Sequence, residues 1–293
     1  MTIEERVPLS KLTTIGTGGP ALAFARPETL AELEQALAWA AQRELPVATV
    51  GLGSNVLAAD DGVEALVVKL SGELATAETR DDLLLAGGGA TNAVCLHRAR
   101  DAGLGGFEFA CAIPGTAGGG VWMNAGAYGS DWKAILVRAL VVGTDGAGWL
   151  TPAELGLSYR HSNLQHGQIV ARVEYRLAPR APAEIKAEVA DLVARRKATQ
   201  PTNKRTFGSV FKNPDHEHGA GRLLELCGLK GHRIGGAQIS PMHANFIENA
   251  GEATTADALA LMTEARRRAR EQFGIELVHE VELLGPISLP TSS

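Results

Sequence analysis

The chain has 293 residues, 45% of them hydrophobic and 21% charged, a balance that excludes a disordered protein and allows two packed domains or one core with an appendage. A net charge of −5 and a pI near 5.9 argue against a nucleic-acid binder, which carries a basic balance or stripe. The opening MTIEERVPLS lacks the basic and then apolar pattern of a signal peptide, and no apolar run approaches the roughly 20 residues of a membrane span.

Residues 27–45 read as a helix, because Thr29 and Glu32 form a capping box and Leu30, Leu33, Leu37 and Ala41 recur at helical spacing. Pro46 ends it. A short buried strand at 47–50 runs into the loop Gly51, Leu52, Gly53, Ser54, Asn55, and a further strand follows at 65–70. A strand at 83–89 enters a triple glycine and precedes a helix at 92–102. Residues 103–129 are the most glycine-rich part, at a density that argues against a core helix there. Strands at 135–144 and 149–150 flank Asp145-Gly146, a hairpin signal, and a strand at 169–177 closes the region. An amphipathic helix at 183–197 aligns Ile185, Val189, Leu192 and Val193. The polar, proline-containing stretch 198–206 reads as a linker. Beyond it come a glycine-rich loop, a strand at 244–248, a helix at 255–273 ended by Gly274, and a last strand at 275–284.

Glycine is in excess, with 34 in 293 residues, about 12% against an average of roughly 7%. Such an excess suggests tight turns or backbone pressed against a ligand. The loop 51–55 has the chemistry a diphosphate needs: two glycines for close backbone approach, and donors from Ser54 and Asn55. On local evidence a plain glycine turn between strands is the commoner explanation, and no helix opens directly after it as the dinucleotide fingerprint requires. The run Ile113, Pro114, Gly115, Thr116, Ala117, Gly118, Gly119, with Asn124, Gly126, Ala127 and Tyr128 just beyond, offers a backbone wall with few side chains, suited to a planar or extended ligand.

Tyr159-Arg160 offers a guanidinium that can fork onto a carboxylate, although on local evidence a surface arginine in a strand or turn is the commoner case. Ser209, Lys212 and Asn213 combine a hydroxyl, a cation and an amide before Pro214. In the last strand, alternation puts Ile275, Leu277, Val281 and Leu283 on one face and Val278, Glu280, Glu282 and Leu284 on the other. His216-Glu217-His218 lacks a third ligand at metal spacing and reads as a solvated loop, and Arg266-Arg267-Arg268 reads as a solvated helix face. Cys95, Cys111 and Cys227 show no paired spacing, so they read as reduced thiols of a cytoplasmic protein.

The order of these motifs is more specific than any one of them. The 51–55 loop, IPGTAGG at 113–119, NAGAYG at 124–129, SYRHS at 158–162, GSVFKNP at 208–214 and HANFIEN at 243–249 together resemble the UDP-N-acetylenolpyruvoylglucosamine reductase family over nearly the whole chain, in its shorter form. That resemblance implies an α+β fold: an FAD-binding domain of the vanillyl-alcohol-oxidase type in two lobes (about 14–70 and 71–180), a helix and linker at 181–206, and a C-terminal α+β substrate-binding domain at 207–288. It implies bound FAD, NADPH as co-substrate, and reduction of UDP-N-acetylglucosamine enolpyruvate to UDP-N-acetylmuramate for peptidoglycan. By the same resemblance Arg160 binds the enolpyruvyl carboxylate, Ser209 is the proton donor and Glu280 the acidic partner, with Glu282 on the same face left open as an alternative. Residues 51–55, Ile113, Pro114, Gly115, Thr116, Gly118, Gly119, Asn124, Gly126, Ala127 and Tyr159 are implied at the cofactor. Lys212, Asn213, Tyr128, His243 and Asn245 are implied at the substrate. Asp131-Trp132 after NAGAYG departs from the family pattern. Nucleic acid and membrane are not expected partners, and a monomer or a dimer is expected.

Overall fold

A computed structural model describes residues 1–289. The chain divides into two compact units. One comprises Met1–Glu5, Ala23–Leu52 and Ala65–Arg196, and the other comprises Arg6–Leu22, Gly53–Glu64 and the chain from Lys197 onward.

The first unit is built on a five-stranded antiparallel sheet in the order Gly146–Leu150, Leu136–Gly143, Ile169–Arg176, Leu83–Gly87, Ala77–Arg80. Its hairpin closes where Gly143 pairs with Gly146, leaving Thr144 and Asp145 at the tip. The core holds Phe107, Phe109, Trp132 and Tyr175, with Trp132 edge-on to Phe109 at 5.1 Å. Fully buried Trp132 and Tyr175 form a hydrogen-bonded chain: the indole N–H donates to the Tyr175 hydroxyl at 2.7 Å, which donates to the Ala117 carbonyl at 3.3 Å, avoiding the penalty of a buried unpaired polar group. Burial pushes the Tyr175 phenol well above its ordinary pKa. The departure at Asp131-Trp132 is thereby structural. Asp131 also caps the short helix Trp132–Ile135, accepting the Ala134 N–H at 3.2 Å.

The helix expected over 27–45 is shorter, Leu30–Ala41, and Thr29 caps it by accepting the Glu32 N–H at 3.2 Å. The Glu32 carboxylate accepts the Glu28 N–H at 2.8 Å rather than that of Thr29, so the box is only half formed. The helix buries Leu33, Ala36, Leu37 and Ala40. Strand Val47–Thr49 follows and pairs in parallel with residues 66–68 of strand Val63–Val68.

The glycine-rich segment corrects an expectation. Ala117–Met123 is an α-helix despite three consecutive glycines. Tertiary packing overrides the propensity of roughly 1 kcal/mol per glycine. A Cβ on Gly118 would sit 2.9 Å from the Gly88 carbonyl oxygen, and one on Gly120 would sit 2.3 Å from the Trp132 ring. Both glycines let the helix approach the sheet and the indole.

The second unit has an antiparallel sheet in the order Thr206–Ser209, Phe246–Asn249, Ala237–Ile239, Arg233–Ile234. Helix Thr255–Phe273 covers its core with Ala258, Leu261, Met262, Ala265 and Ala269. Its C-terminal end is the one the sequence signals, Gly274 in the left-handed region at φ 68°, and at its start the structure adds a reciprocal capping box between Thr254 and Asp257. Helix Pro182–Thr199, in contrast, runs two residues into the expected linker.

The expected last strand at 275–284 is also corrected. Only Glu282–Leu284 is a strand, paired in parallel with Val56–Ala58. Residues before it are irregular, and backbone bonds from Lys212 N–H to Val278 and from Glu280 N–H to Val210 tie them to residues 210–212. Leu277 and Val281 are buried as alternation predicts, but Leu284, expected on the opposite face, is buried as well, in the segment paired with Val56–Ala58.

Candidate active site

In the first unit the parallel strands end side by side, with the Val50 N–H donating to the Val68 carbonyl at 2.9 Å. They deliver Gly51 and Lys69 to the same place, the carboxyl ends of the strands, where open sheets bind ligands. The Lys69 ammonium donates to the Gly51 carbonyl. Lys69 is half-buried, and that burial, followed by the charge of Arg26, holds the ammonium below its usual pKa. The sequence reading missed this lysine. Its available signal was a cation ending the apolar run 65–68.

On its other side Gly51 faces the second glycine segment. A Cβ there would lie 2.6 Å from Thr116 Oγ1. Thr116 caps the helix by accepting the Gly119 N–H at 3.3 Å. Residues 113–118 are held from behind. Asn92 donates from Nδ2 to the Ile113 carbonyl at 2.8 Å and from its backbone to Gly115 at 3.0 Å. The Gly118 N–H donates to Gly88 at 2.8 Å. Burial separates the glycines: Gly118 and Gly120 are buried, whereas Gly119, Pro114 and Leu52 are exposed. Gly118 is therefore committed to packing, and Gly119 is the glycine that presents backbone outward.

Asn124, expected at the cofactor, is fully buried in a left-handed cap at φ 38°. Its Nδ2 donates to Asp131 at 3.1 Å and to the Ser158 carbonyl at 2.9 Å, and its Oδ1 accepts the Lys133 N–H at 2.9 Å. With both ends of the amide committed, Asn124 positions the turn carrying Tyr159 and Arg160. In that turn Ser158 and His161 exchange two backbone bonds of 3.1 Å, which puts Tyr159 and Arg160 at the tip. Arg160 has φ 52°, a conformation that costs a non-glycine residue roughly 1–2 kcal/mol. Its guanidinium donates to the Gly126 carbonyl at 2.7 Å and lies 5.0 Å from the Tyr159 ring centroid. Gly126 must be glycine here, since a Cβ would meet the Ser130 carbonyl oxygen at 2.7 Å. Ala127 pairs with Ser130 in the same hairpin, and exposed Tyr128 donates its hydroxyl to the Leu192 carbonyl at 3.2 Å.

In the second unit Ser54, Asn55, Ser209 and Glu280 come together through the backbone. Asn55 donates from Nδ2 to the Glu280 carbonyl at 3.1 Å, and its own carbonyl accepts the Glu282 N–H at 3.0 Å. Gly208, at φ 82°, approaches Ser54 so closely that a Cβ would sit 3.1 Å from the Ser54 carbonyl oxygen. Gly53 is required by φ 70° and by the Leu12 carbonyl oxygen, 2.0 Å from where a Cβ would stand. Ser209, Glu280 and Glu282 are all half-buried.

Asn245, expected at the substrate, is buried and clamps the backbone of Phe211. Its Oδ1 accepts the Phe211 N–H at 3.0 Å and its Nδ2 donates to the Phe211 carbonyl at 2.8 Å. It therefore positions the strand exit that carries Ser209 and Lys212. Asn213 accepts the Ala220 N–H at 3.0 Å at the start of helix Ala220–Leu226. His243 is half-buried, its Nδ1 accepting the Asn245 N–H at 3.2 Å. Burial first, then the charge of Lys230, keeps this imidazole below its usual pKa and hence neutral near pH 7. No cluster of metal ligands occurs among the described residues.

Two features fit the residues to a bound FAD. The half-buried Lys69 ammonium is chemistry suited to an anion beside the 51–55 loop. Asn92 Oδ1, buried among the backbone atoms of the second segment, has no hydrogen-bond partner among the described residues and suits a donor from a ligand.

Comparison with known proteins is consistent with this chemistry. The profile of the FAD binding domain matches residues 21–148, and that of the UDP-N-acetylenolpyruvoylglucosamine reductase C-terminal domain matches residues 200–284. UDP-N-acetylenolpyruvoylglucosamine reductase 2 of Symbiobacterium thermophilum is 42% identical over 97% of this chain and 92% of its own length. The reductase of Anaeromyxobacter dehalogenans is 44% identical over 95% of this chain and 84% of its own. The crystal structure of UDP-N-acetylenolpyruvylglucosamine reductase from Thermus caldophilus superposes with a TM-score of 0.84 at 38% identity, covering 97% of this chain and 99% of the other.

Proposed function

The chain belongs to the UDP-N-acetylenolpyruvoylglucosamine reductase family, and from that premise we propose that Arg160, Ser209 and Glu280 carry its chemistry. The enzyme is an FAD-dependent oxidoreductase that reduces UDP-N-acetylglucosamine enolpyruvate to UDP-N-acetylmuramate with NADPH, in peptidoglycan precursor synthesis. FAD, when bound, supplies the hydride relay between NADPH and the enolpyruvyl double bond. The terminal carbon of that bond gains the hydride and the α-carbon gains a proton, so two electrons and two hydrogens add in all.

The rest falls to side chains. Hydride addition builds negative charge on the enolpyruvyl carboxylate, and Arg160 holds a fixed positive charge against it. The turn that pins Arg160, with its guanidinium anchored on Gly126, removes the reorganisation that a mobile arginine would need. Ser209 delivers the proton to the α-carbon from Oγ. A serine hydroxyl is a weak acid, so a cation must assist it, and half-buried Lys212, three residues on, is assigned that part. Glu280, when its carboxyl carries the proton, donates a hydrogen bond to the same carboxylate. One observation carries this reading: Asn55, on the cofactor loop, is hydrogen-bonded to Glu280, and Glu280 in turn to Val210, next to Ser209.

In the same proposal residues 14–180 serve the cofactor and 207–288 the substrate, joined by 181–206. Gly51, Leu52, Gly53, Ser54, Ile113, Pro114, Gly115 and Gly119 line the cofactor. Lys212, Asn213, Tyr128 and His243 meet the UDP-sugar. A cytoplasmic location fits the three unpaired thiols, of which Cys95 is pushed up to about 12 by burial. No described helix is long and apolar enough to cross a membrane.

The test is turnover of the enolpyruvyl UDP-sugar with NADPH by the purified yellow protein, comparing Glu280→Gln with Glu282→Gln. Glu280→Gln is expected to lower kcat by about 10²- to 10³-fold and Glu282→Gln to leave it within about threefold. The opposite pattern would move the acidic role to Glu282.

A further inference from the structure

Resting on the FAD reading above, we propose that Lys69 is the counter-charge for the cofactor's diphosphate, a binding role for a residue outside the glycine motifs. The argument starts from topology. Two parallel strands, Val47–Thr49 and Val63–Val68, end at the same level, so one contributes the Gly51 turn and the other contributes Lys69 immediately beside it. The strand before Lys69 is buried at Ala65, Leu66, Val67 and Val68, and Lys69 itself is half-buried. An ammonium in that position loses hydration and needs compensation.

Among the described residues the compensation present is the neutral carbonyl of Gly51. The charge acting most on Lys69 is another cation, Arg26. Ion pairs elsewhere in this unit are complete, as with Arg138–Glu174 and Arg180–Glu108. A half-buried cation held by a neutral carbonyl and acted on by a like charge is electrostatically unfinished, and an anion arriving at the Gly51 turn would finish it. FAD carries that anion in the diphosphate that joins its two halves. The glycine turn then supplies backbone approach while Lys69 supplies charge, as a lysine does beside other phosphate-binding loops.

The experiment measures FAD and riboflavin binding to apoprotein by flavin fluorescence, for wild type, Lys69→Arg, Lys69→Gln and Lys69→Met. Riboflavin lacks the diphosphate. Gln keeps a donor for the Gly51 carbonyl but no charge, so it separates a tie on the loop from a charge on the ligand. Both neutral variants are expected to lose FAD affinity by about ten- to a hundredfold, with Arg within about threefold of wild type and riboflavin affinity unchanged throughout. The apoprotein of the neutral variants should melt at or above the wild-type temperature, since an uncompensated charge has been removed, yet gain less from added FAD. Rescue by Gln, or equal losses for FAD and riboflavin, would overturn the proposal and leave Lys69 a structural tie. Wild-type FAD binding is the separate control on the cofactor reading itself.

Discussion

The two glycine segments look alike in sequence and are glycine for different reasons. In the first, Gly53 avoids a backbone oxygen of Leu12 and takes a left-handed φ, while Gly51 lets Thr116 approach. In the second, Gly118 and Gly120 face inward against the sheet and the Trp132 indole, and Gly119, between them, faces out. Glycine density thus marks close approach, but the neighbour approached is usually the protein itself. Exposure, rather than composition, singles out the position left for a ligand.

Single alanine substitutions can break or sharpen that contrast. Gly53→Ala should be the most damaging, because its Cβ meets a backbone oxygen that cannot rotate away and the φ is unfavourable for alanine. A loss of about 3 kcal/mol is expected, read as a shift in the denaturant midpoint of the apoprotein. Gly120→Ala should lose about 1–2 kcal/mol, the clash with the enclosed Trp132 ring being partly offset by better helix propensity. A near-neutral result there would remove the packing explanation for the helix. Thr254→Ala, outside both segments in sequence, should lose about 1 kcal/mol through loss of its cap. Gly119→Ala should act in the opposite direction on stability. Its Cβ would meet only Thr116 Oγ1 at 3.4 Å, so the apoprotein should gain up to about 1 kcal/mol. FAD affinity, measured by fluorescence, should nevertheless fall about tenfold.

Local signals were the most legible. Helix Thr255–Phe273 was readable because the helix and the glycine that ends it, Gly274, lie within one continuous stretch of chain. Helix Ala117–Met123 was not, because what permits it, the Trp132 ring and the Gly88 and Val170 carbonyls, comes from distant positions. The last strand was overextended for a similar reason. Alternation found the buried Leu277 and Val281, but pairing with Val56–Ala58 begins only at Glu282. At the site, residue types and motif order pointed to Arg160, Ser209 and Glu280. They could not tell that the Asn124 and Asn245 amides are committed to the protein's own backbone and neighbouring side chains. They also could not reveal Lys69, whose meaning lies in the strand pairing that puts it beside Gly51.

The most direct test of the catalytic assignment separates the two half-reactions in the Ser209→Ala variant by rapid mixing. FAD reduction by NADPH should proceed at the wild-type rate. Reoxidation by the enolpyruvyl UDP-sugar should slow by about 10²- to 10⁴-fold, the usual range for losing a positioned proton donor. Product formed at the full rate would contradict the assignment of Ser209 as proton donor.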